Sequence, residues 1–177
     1  NAPGMCQFED GRLTFPAALP LEIEPLAFEV SDLNGDKIPE VLCLGEARDN
    51  DQADEYKLAA LKWTDKGFEP FPLGEDKIIA LELDGEPERL KKLDANQDGR
   101  TDFLVLGGRT PALLLTDKNG LPKLTPTPGG IQLGDVTRES VYIKPPKAKS
   151  SETPVGALLV AQDTFARELV LDEFNKW

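Results

Sequence analysis

Two acidic segments of nine residues carry the side chains with the clearest chemical potential in this chain. Each has oxygen-bearing side chains at positions 1, 3, 5 and 9, and a backbone carbonyl available at position 7. Calcium prefers six to eight oxygen ligands supplied by a flexible loop. The spacing therefore predicts two calcium sites. Loop 1 (residues 32–40) would use Asp32, Asn34, Asp36, the carbonyl of Ile38, and Glu40, and loop 2 (residues 94–102) would use Asp94, Asn96, Asp98, the carbonyl of Arg100, and Asp102.

The two loops lie 62 positions apart, and their flanking residues recur at the same interval. The Glu24-Pro25 pair returns as Glu86-Pro87, and Gly45 returns as Gly107. A fixed internal period is typical of repeat architectures. Plain solvent turns are the alternative for such Asp-, Asn- and Gly-rich stretches, but a chance turn seldom repeats together with its flanks.

Position 6 differs between the loops. Gly99 permits the left-handed backbone that lets loop 2 curl, whereas Lys37 must adopt that conformation at a cost in loop 1. An EF-hand is excluded, because it needs a Glu at position 12 and helices on both sides. Position 12 is Cys43 in one copy and Val105 in the other, within short apolar runs.

The residues on both sides of each loop are predicted to form strands. Residues 41–44 and 103–106 are four-residue apolar runs bounded by polar or Gly residues, which favours buried strands over helices. Residues 58–63 and 112–115 each lead into a turn with Asp near its front and Gly at its back, as in a hairpin. Residues 86–93 have a helix-like composition, but their alignment with residues 24–31 predicts a strand.

Each unit is therefore strand, acidic loop, strand, strand, turn, strand. Four antiparallel strands form one blade of a β-propeller, so the sequence predicts an all-β fold of consecutive blades. We expect the outer hairpin of a preceding blade in residues 1–17, a blade with loop 1 in 18–79 and a blade with loop 2 in 80–134. A degenerate third blade, without a calcium loop, would occupy 135–177. Three units are fewer than a closed ring needs, so the chain is expected to belong to a larger propeller or to associate with other chains.

Composition excludes several functions. The net charge of -12 argues against nucleic acid and anionic membranes, and no apolar run approaches the roughly 18 residues of a membrane span. The absence of His removes catalytic triads, imidazole acid/base chemistry and His-ligated metals. The start at Asn1, without Met or a signal peptide, suggests a processed or trimmed chain. Cys43 reads as a core residue, and its pairing with Cys6 is left open.

The unit Asp-x-Asn-x-Asp-Gly-x-x-Asp, followed by a short apolar strand and Gly, resembles the FG-GAP repeat, also called the VCBS-type repeat. This family builds the propellers of integrin α-subunits and of many bacterial secreted or surface proteins. Loop 2 matches the motif fully, whereas loop 1 departs from it at Lys37 and Glu40. The resemblance implies a β-propeller with structural Ca²⁺ and an extracellular, periplasmic or cell-surface location.

The leading expectation is a calcium-stabilised, non-catalytic module that binds protein or carbohydrate. A structural surface or matrix repeat is one alternative; a scaffold segment of an enzyme whose active site lies outside this chain is another. No catalytic residue is predicted. Residues 46–55 form an acidic insertion that would be a recognition loop, a second cation site or merely a solvated loop. The position of Trp63 ahead of a turn favours a role in core or blade packing. The aromatic residues that could line a sugar-binding surface are Trp63, Phe68, Tyr56, Tyr142 and Trp177.

Overall fold

The computed structural model describes residues 3–47, 55–75, 77–96, 98–107, 111–125, 138–144, 155–161 and 164–170. In these residues the fold is all-β, with every sheet antiparallel. None of them belongs to a helix that could cross a membrane. The chain divides into two compact units, Asn1–Glu82 and Leu83–Trp177.

The first unit opens with two short strand pairs. Strand β1 (Gly4–Met5) pairs with β4 (Ala17–Ala18), and β2 (Phe8–Glu9) pairs with β3 (Arg12–Leu13). Asp10 and Gly11 between β2 and β3 have φ of 49° and 78°, the positive values that a tight hairpin reversal requires. The hairpin predicted in residues 1–17 is therefore present, and its assignment to a preceding blade stays a prediction.

Five strands form the main sheet of the first unit. They are β5 (Ile23–Ser31), β6 (Glu40–Ala47), β7 (Tyr56–Thr64), β8 (Gly67–Phe71) and β9 (Ile78–Leu81). Strands β5 to β8 follow chain order across the sheet, and β9 also pairs with β7. Strand β8 pairs with the second half of β7 and β9 with its first half. The boundary predicted between residues 79 and 80 thus falls inside β9.

Two further sheets belong to the second unit. The four strands β10 (Pro87–Leu93), β11 (Asp102–Gly107), β12 (Ala112–Thr116) and β13 (Pro122–Thr125) lie in chain order. The three strands β14 (Arg138–Lys144), β15 (Val155–Ala161) and β16 (Ala166–Val170) form the other sheet. Strand β10 confirms that the charged stretch at residues 86–93 is extended rather than helical.

The period of 62 residues is visible in the backbone. A bulge separates Pro25 from Ala27 in β5, and an equivalent bulge separates Pro87 from Arg89 in β10. Each bulge lies opposite a glycine. A Cβ atom on Gly45 would lie 2.0 Å from the carbonyl oxygen of Glu24, and one on Gly107 would lie 2.5 Å from that of Glu86. Both glycines are required because the bulged strand approaches too closely for a side chain.

The hairpin turns reverse at positive-φ glycines, as predicted: Gly67 has φ of 105° and Gly120 of 80°. In the second turn Asp117 Oδ1 accepts bonds from the amides of Asn119 at 2.8 Å and Leu121 at 3.2 Å. In the first turn Thr64 takes this role. Its hydroxyl accepts from the Lys66 amide at 3.2 Å and donates to the Gly67 carbonyl at 2.9 Å.

The central strands are buried along most of their length, which confirms the interpretation of the short apolar runs as interior strands. Leu42 and Leu44 in β6, and Phe103 and Leu104 in β11, have no exposed surface. Cys43 is also buried and carries a free thiol, whereas Cys6 is exposed and free. Predictions for residues 48–54, 126–137, 145–154 and 171–177 lie outside the described residues. They include most of the acidic insertion, the boundary between residues 134 and 135, and Trp177.

Candidate metal centres

Both acidic loops connect neighbouring antiparallel strands. Loop 1 runs between β5 and β6, and its ends are held together by the Ser31–Glu40 pair. Loop 2 runs between β10 and β11 and is closed by the Leu93–Asp102 pair. Strands rather than helices flank each loop, so the structure confirms that these are not EF-hands.

In loop 1 the three side chains at positions 1, 3 and 5 fold inward onto loop amides. Asp32 accepts from the amides of Gly35 at 2.7 Å and Lys37 at 2.9 Å. Asn34 Oδ1 accepts from the Asp36 amide at 2.9 Å, and Asp36 Oδ1 accepts from the Ile38 amide at 2.7 Å. The Asn34 amide group also donates to Asp36 Oδ2 at 3.0 Å.

Loop 2 repeats this pattern except at its first acid, which accepts from the amide of position 5 where Asp32 accepts from the amide of position 4. Asp94 accepts from the amides of Asp98 at 3.1 Å and Gly99 at 3.0 Å. Asn96 Oδ1 accepts from the Asp98 amide at 3.2 Å, and Asp98 Oδ1 from the Arg100 amide at 2.9 Å. The Asn96 amide group donates to Asp98 Oδ2 at 2.8 Å. The two loops therefore share four of these five contacts, made by residues at the same positions.

Position 6 has the left-handed conformation predicted for it in both loops. Lys37 has φ of 69° and Gly99 of 83°. Glycine reaches this region without strain, whereas a residue with a Cβ atom does so at a cost. The strain expected in loop 1 is therefore present at Lys37.

The acid at position 9 clamps the base of each loop. Glu40 Oε2 accepts from the Leu33 amide at 2.8 Å, and Asp102 Oδ2 accepts from the Ala95 amide at 2.8 Å. Asp102 Oδ1 also accepts from the Thr116 amide at 2.8 Å, which ties loop 2 to the end of β12. These carboxylates are buried, with exposed fractions of 1% for Glu40 and 0% for Asp102.

Burial raises the pKa of the Glu40 carboxyl, and the nearby Asp36 and Asp32 carboxylates add to the increase against a lowering by the Leu33 amide. Burial likewise raises the pKa of Asp102, with further increases from Asp98 and Asp94 and opposing bonds from the Thr116 and Ala95 amides. Each loop therefore concentrates negative charge around an interior carboxylate. A bound cation would relieve that repulsion.

Arg100 adds a feature to loop 2 that its predicted role as a carbonyl ligand did not include. Its guanidinium forms an ion pair with Asp98, and its Nε donates to the Thr116 carbonyl at 2.9 Å. The equivalent residue in loop 1, Ile38, has no charge. The Arg100 guanidinium would therefore compete with a metal ion for Asp98, and loop 1 has no charged residue at the equivalent position. The signal in the sequence is a basic residue two positions after the acid.

The donor chemistry of both loops fits calcium, because every candidate ligand is an oxygen. A carboxylate oxygen that accepts one amide also keeps a second lone pair. Within the ranges described above, however, no three carboxylate, thiol or imidazole side chains converge as a ready metal-binding group. The structure thus brings the residues of each loop together around its backbone amides. For an ion to be coordinated by both side chains, the Asn34–Asp36 contact in loop 1 and the Asn96–Asp98 contact in loop 2 would each have to open.

The aromatic candidates separate clearly. Tyr56 is buried in β7, so it lines no surface. Trp63 packs edge-to-face against Phe68, with ring centroids 5.1 Å apart and an interplanar angle of 81°, and it remains 44% exposed. Packing therefore accounts for one part of the Trp63 side chain, and the other part is exposed.

No family model, no curated protein and no solved structure matches the chain.

Proposed function

We propose that this protein is a calcium-stabilised β-propeller module of the FG-GAP type, which acts as a non-catalytic binding or scaffold domain outside the cytoplasm. The observation that carries the proposal is the repetition of one loop. Two nine-residue segments, 62 positions apart, share ligand types, most of their hydrogen bonds, a left-handed position 6 and a buried terminal acid.

Calcium would link neighbouring strands. The side chains of Asp32, Asn34 and Asp36, with the carbonyl of Ile38, belong to the connection, whereas Glu40 belongs to β6. An ion shared among them would fix the start of β6 against the end of β5. Loop 2 would do the same for β10 and β11. An ion that binds only the folded state adds to stability according to its concentration relative to the dissociation constant.

The propeller proposal is supported by the sheet β10–β13, whose four antiparallel strands follow chain order. The first three strands of the preceding sheet repeat that arrangement, including the position of the bulge. The non-catalytic proposal is supported by the absence of His from the chain and by the engagement of the buried acids Glu40 and Asp102 with loop amides.

A structural repeat that needs no ion is the second candidate. It is favoured by the observation that the loop carboxylates already accept bonds from their own backbone. In that case each loop would be a self-sufficient turn, and the module would serve as surface or matrix scaffold. A third candidate, the scaffold of an enzyme with its active site outside this chain, has no specific support among the described residues.

Thermal unfolding with calcium chloride and with a chelator distinguishes the first two candidates. We expect calcium to raise the melting temperature of the wild-type protein, and Asp94→Asn with Asp98→Asn to reduce the increase. The control is Asp65→Asn, in the turn from β7 to β8 and outside the sequence of both loops, which should keep the full response. Equal melting temperatures with and without calcium would leave the metal-independent structural repeat as the function.

A further inference from the structure

A groove of about 370 Å³ lies within the first unit, and no residue of loop 1 or loop 2 lines it. One wall is formed by the N-terminal strand pairs and residues 17–20, and the other by the turn from β7 to β8. Its volume lies within the range of small-ligand pockets. The side chains that give the groove its chemistry are Gln7, Thr14, Trp63, Asp65, Lys66 and Phe68.

Trp63 provides a fixed aromatic platform. It is the cross-strand partner of Phe68, whose ring meets it edge-on. Phe68 in turn packs against the core cluster that includes Cys43 and Leu61. A ring held in this way presents its exposed area without a large loss of side-chain freedom on binding. Trp63 is therefore a fixed residue whose exposed surface, 44% of the total, is available to a ligand.

The polar residues around the platform favour a neutral ligand. Asp65 and Lys66 bring opposite charges to the same turn, in a chain whose net charge is -12. Gln7 and Thr14 add groups that both donate and accept hydrogen bonds. Their backbone and hydroxyl bonds hold this wall in place: the Gln7 amide donates to the Thr14 hydroxyl at 2.9 Å.

We propose that this groove binds a neutral saccharide, with the C–H face of one pyranose ring stacked on Trp63. The hydroxyl groups at the ring edge would bond to Asp65, Lys66 and Gln7. This inference rests on the proposed function as a binding module and names its ligand class and site. A proline-rich peptide is disfavoured, because such peptides dock in grooves lined by several exposed aromatics. The aromatic residues that line this groove are Trp63, which is exposed, and Phe68, which packs edge-on against it.

The test uses intrinsic tryptophan fluorescence in a Trp177→Phe background, which leaves Trp63 as the sole tryptophan. The probes are cellobiose, maltose, lactose and chitobiose, with a proline-rich peptide as the competing class. We expect at least one disaccharide to shift the emission saturably. Trp63→Ala should weaken binding of that disaccharide, measured by calorimetry, by about tenfold or more, and Trp63→Phe should retain part of it.

Phe28→Ala is the matched control, because Phe28 is an exposed aromatic of the same sheet that does not line the groove. It should bind the saccharide as the wild type does, and circular dichroism checks that each variant is folded. Titrations in calcium and in chelator separate this proposal from the metal sites, since the groove contains no loop residue. Saccharide binding by a protein whose melting temperature does not respond to calcium would contradict the calcium proposal and leave the saccharide site supported. Absence of binding by all four sugars, wild-type affinity in folded Trp63→Ala, or binding of the peptide alone would overturn the saccharide site.

Discussion

At the scale of single residues, position 6 separates two loops that otherwise share most of their contacts. Both backbones are left-handed there, yet one residue is Lys37 and the other Gly99. The order of Asp, Asn, Asp and final acid was readable from sequence, as was the strain at Lys37. The Arg100–Asp98 ion pair was not, because a spacing shows which residues are near and not which bonds they prefer.

Exchange of these residues should move stability in opposite directions. We expect Lys37→Gly to stabilise the metal-free protein, measured in the presence of a chelator, by up to about 1 kcal/mol. The reason is that relief of the left-handed strain exceeds the added entropy of the unfolded chain. Gly99→Lys should destabilise it by about 1–2 kcal/mol. Urea denaturation measures both. Destabilisation by Lys37→Gly together with no effect of Gly99→Lys would contradict the equivalence of the loops.

The two thiols should differ sharply in reactivity. Burial raises the pKa of Cys43 to about 11, and the thiolate is the reactive form. At pH 8 we expect a disulfide reagent to modify Cys6 rapidly and Cys43 only after denaturation. Cys6→Ser should therefore abolish the fast phase. Two fast thiols in the native protein, or none before reduction, would show that Cys43 is exposed or paired with Cys6.

At the scale of elements, the bulge opposite a glycine is the device that repeats with each loop. The sequence predicted the strands on both sides because their apolar runs were short and bounded. It did not predict the bulges, which depend on strand register, nor that Ile78–Leu81 joins the first sheet. That pairing is decided by contacts with β7, far away in sequence, and the local pattern of residues 78–81 does not contain it.

Gly45→Ala tests the close approach at the first bulge. The new Cβ atom would lie 2.0 Å from the Glu24 carbonyl, so the backbone must shift. We expect destabilisation of about 3 kcal/mol or more, at the upper end of overpacking effects. Gly11→Ala is the matched control, because Gly11 has φ of 78° and open space around it. It should cost about 1–2 kcal/mol from backbone strain alone, measured by the same denaturation. Equal costs for the two variants would contradict the predicted clash.

At the scale of the whole molecule, one face of the first sheet is partly uncovered. Phe28 and Val30 share that face with Cys43 and Val41, their partners in β6, and Phe28 is 67% exposed. The equivalent of Phe28 in the second repeat is Leu90, which is 4% exposed. Repeat units bury such faces against a neighbouring unit. We therefore expect the surface around Phe28 to be covered by another unit.

We expect a second copy of the chain to cover this face. Light scattering coupled to size-exclusion chromatography should show a mass above that of one chain at high concentration. Phe28→Lys with Val30→Lys should return the protein to a monomer, because the charges would be buried without partners. Lys92, already charged at the position equivalent to Val30, provides the matched control as Lys92→Glu, which should leave the mass unchanged. A folded wild-type monomer at every concentration would rule out closure by self-association.

Isothermal titration calorimetry of the metal-free protein with calcium chloride measures whether both loops bind calcium. We expect two ions per chain for the wild type. We expect one ion for Asp94→Asn with Asp98→Asn, and none when Asp32→Asn and Asp36→Asn are added, with the fold of each variant verified. No calcium binding by the folded wild-type protein, or two ions still bound by the variant altered in both loops, would show that the loops are not calcium sites.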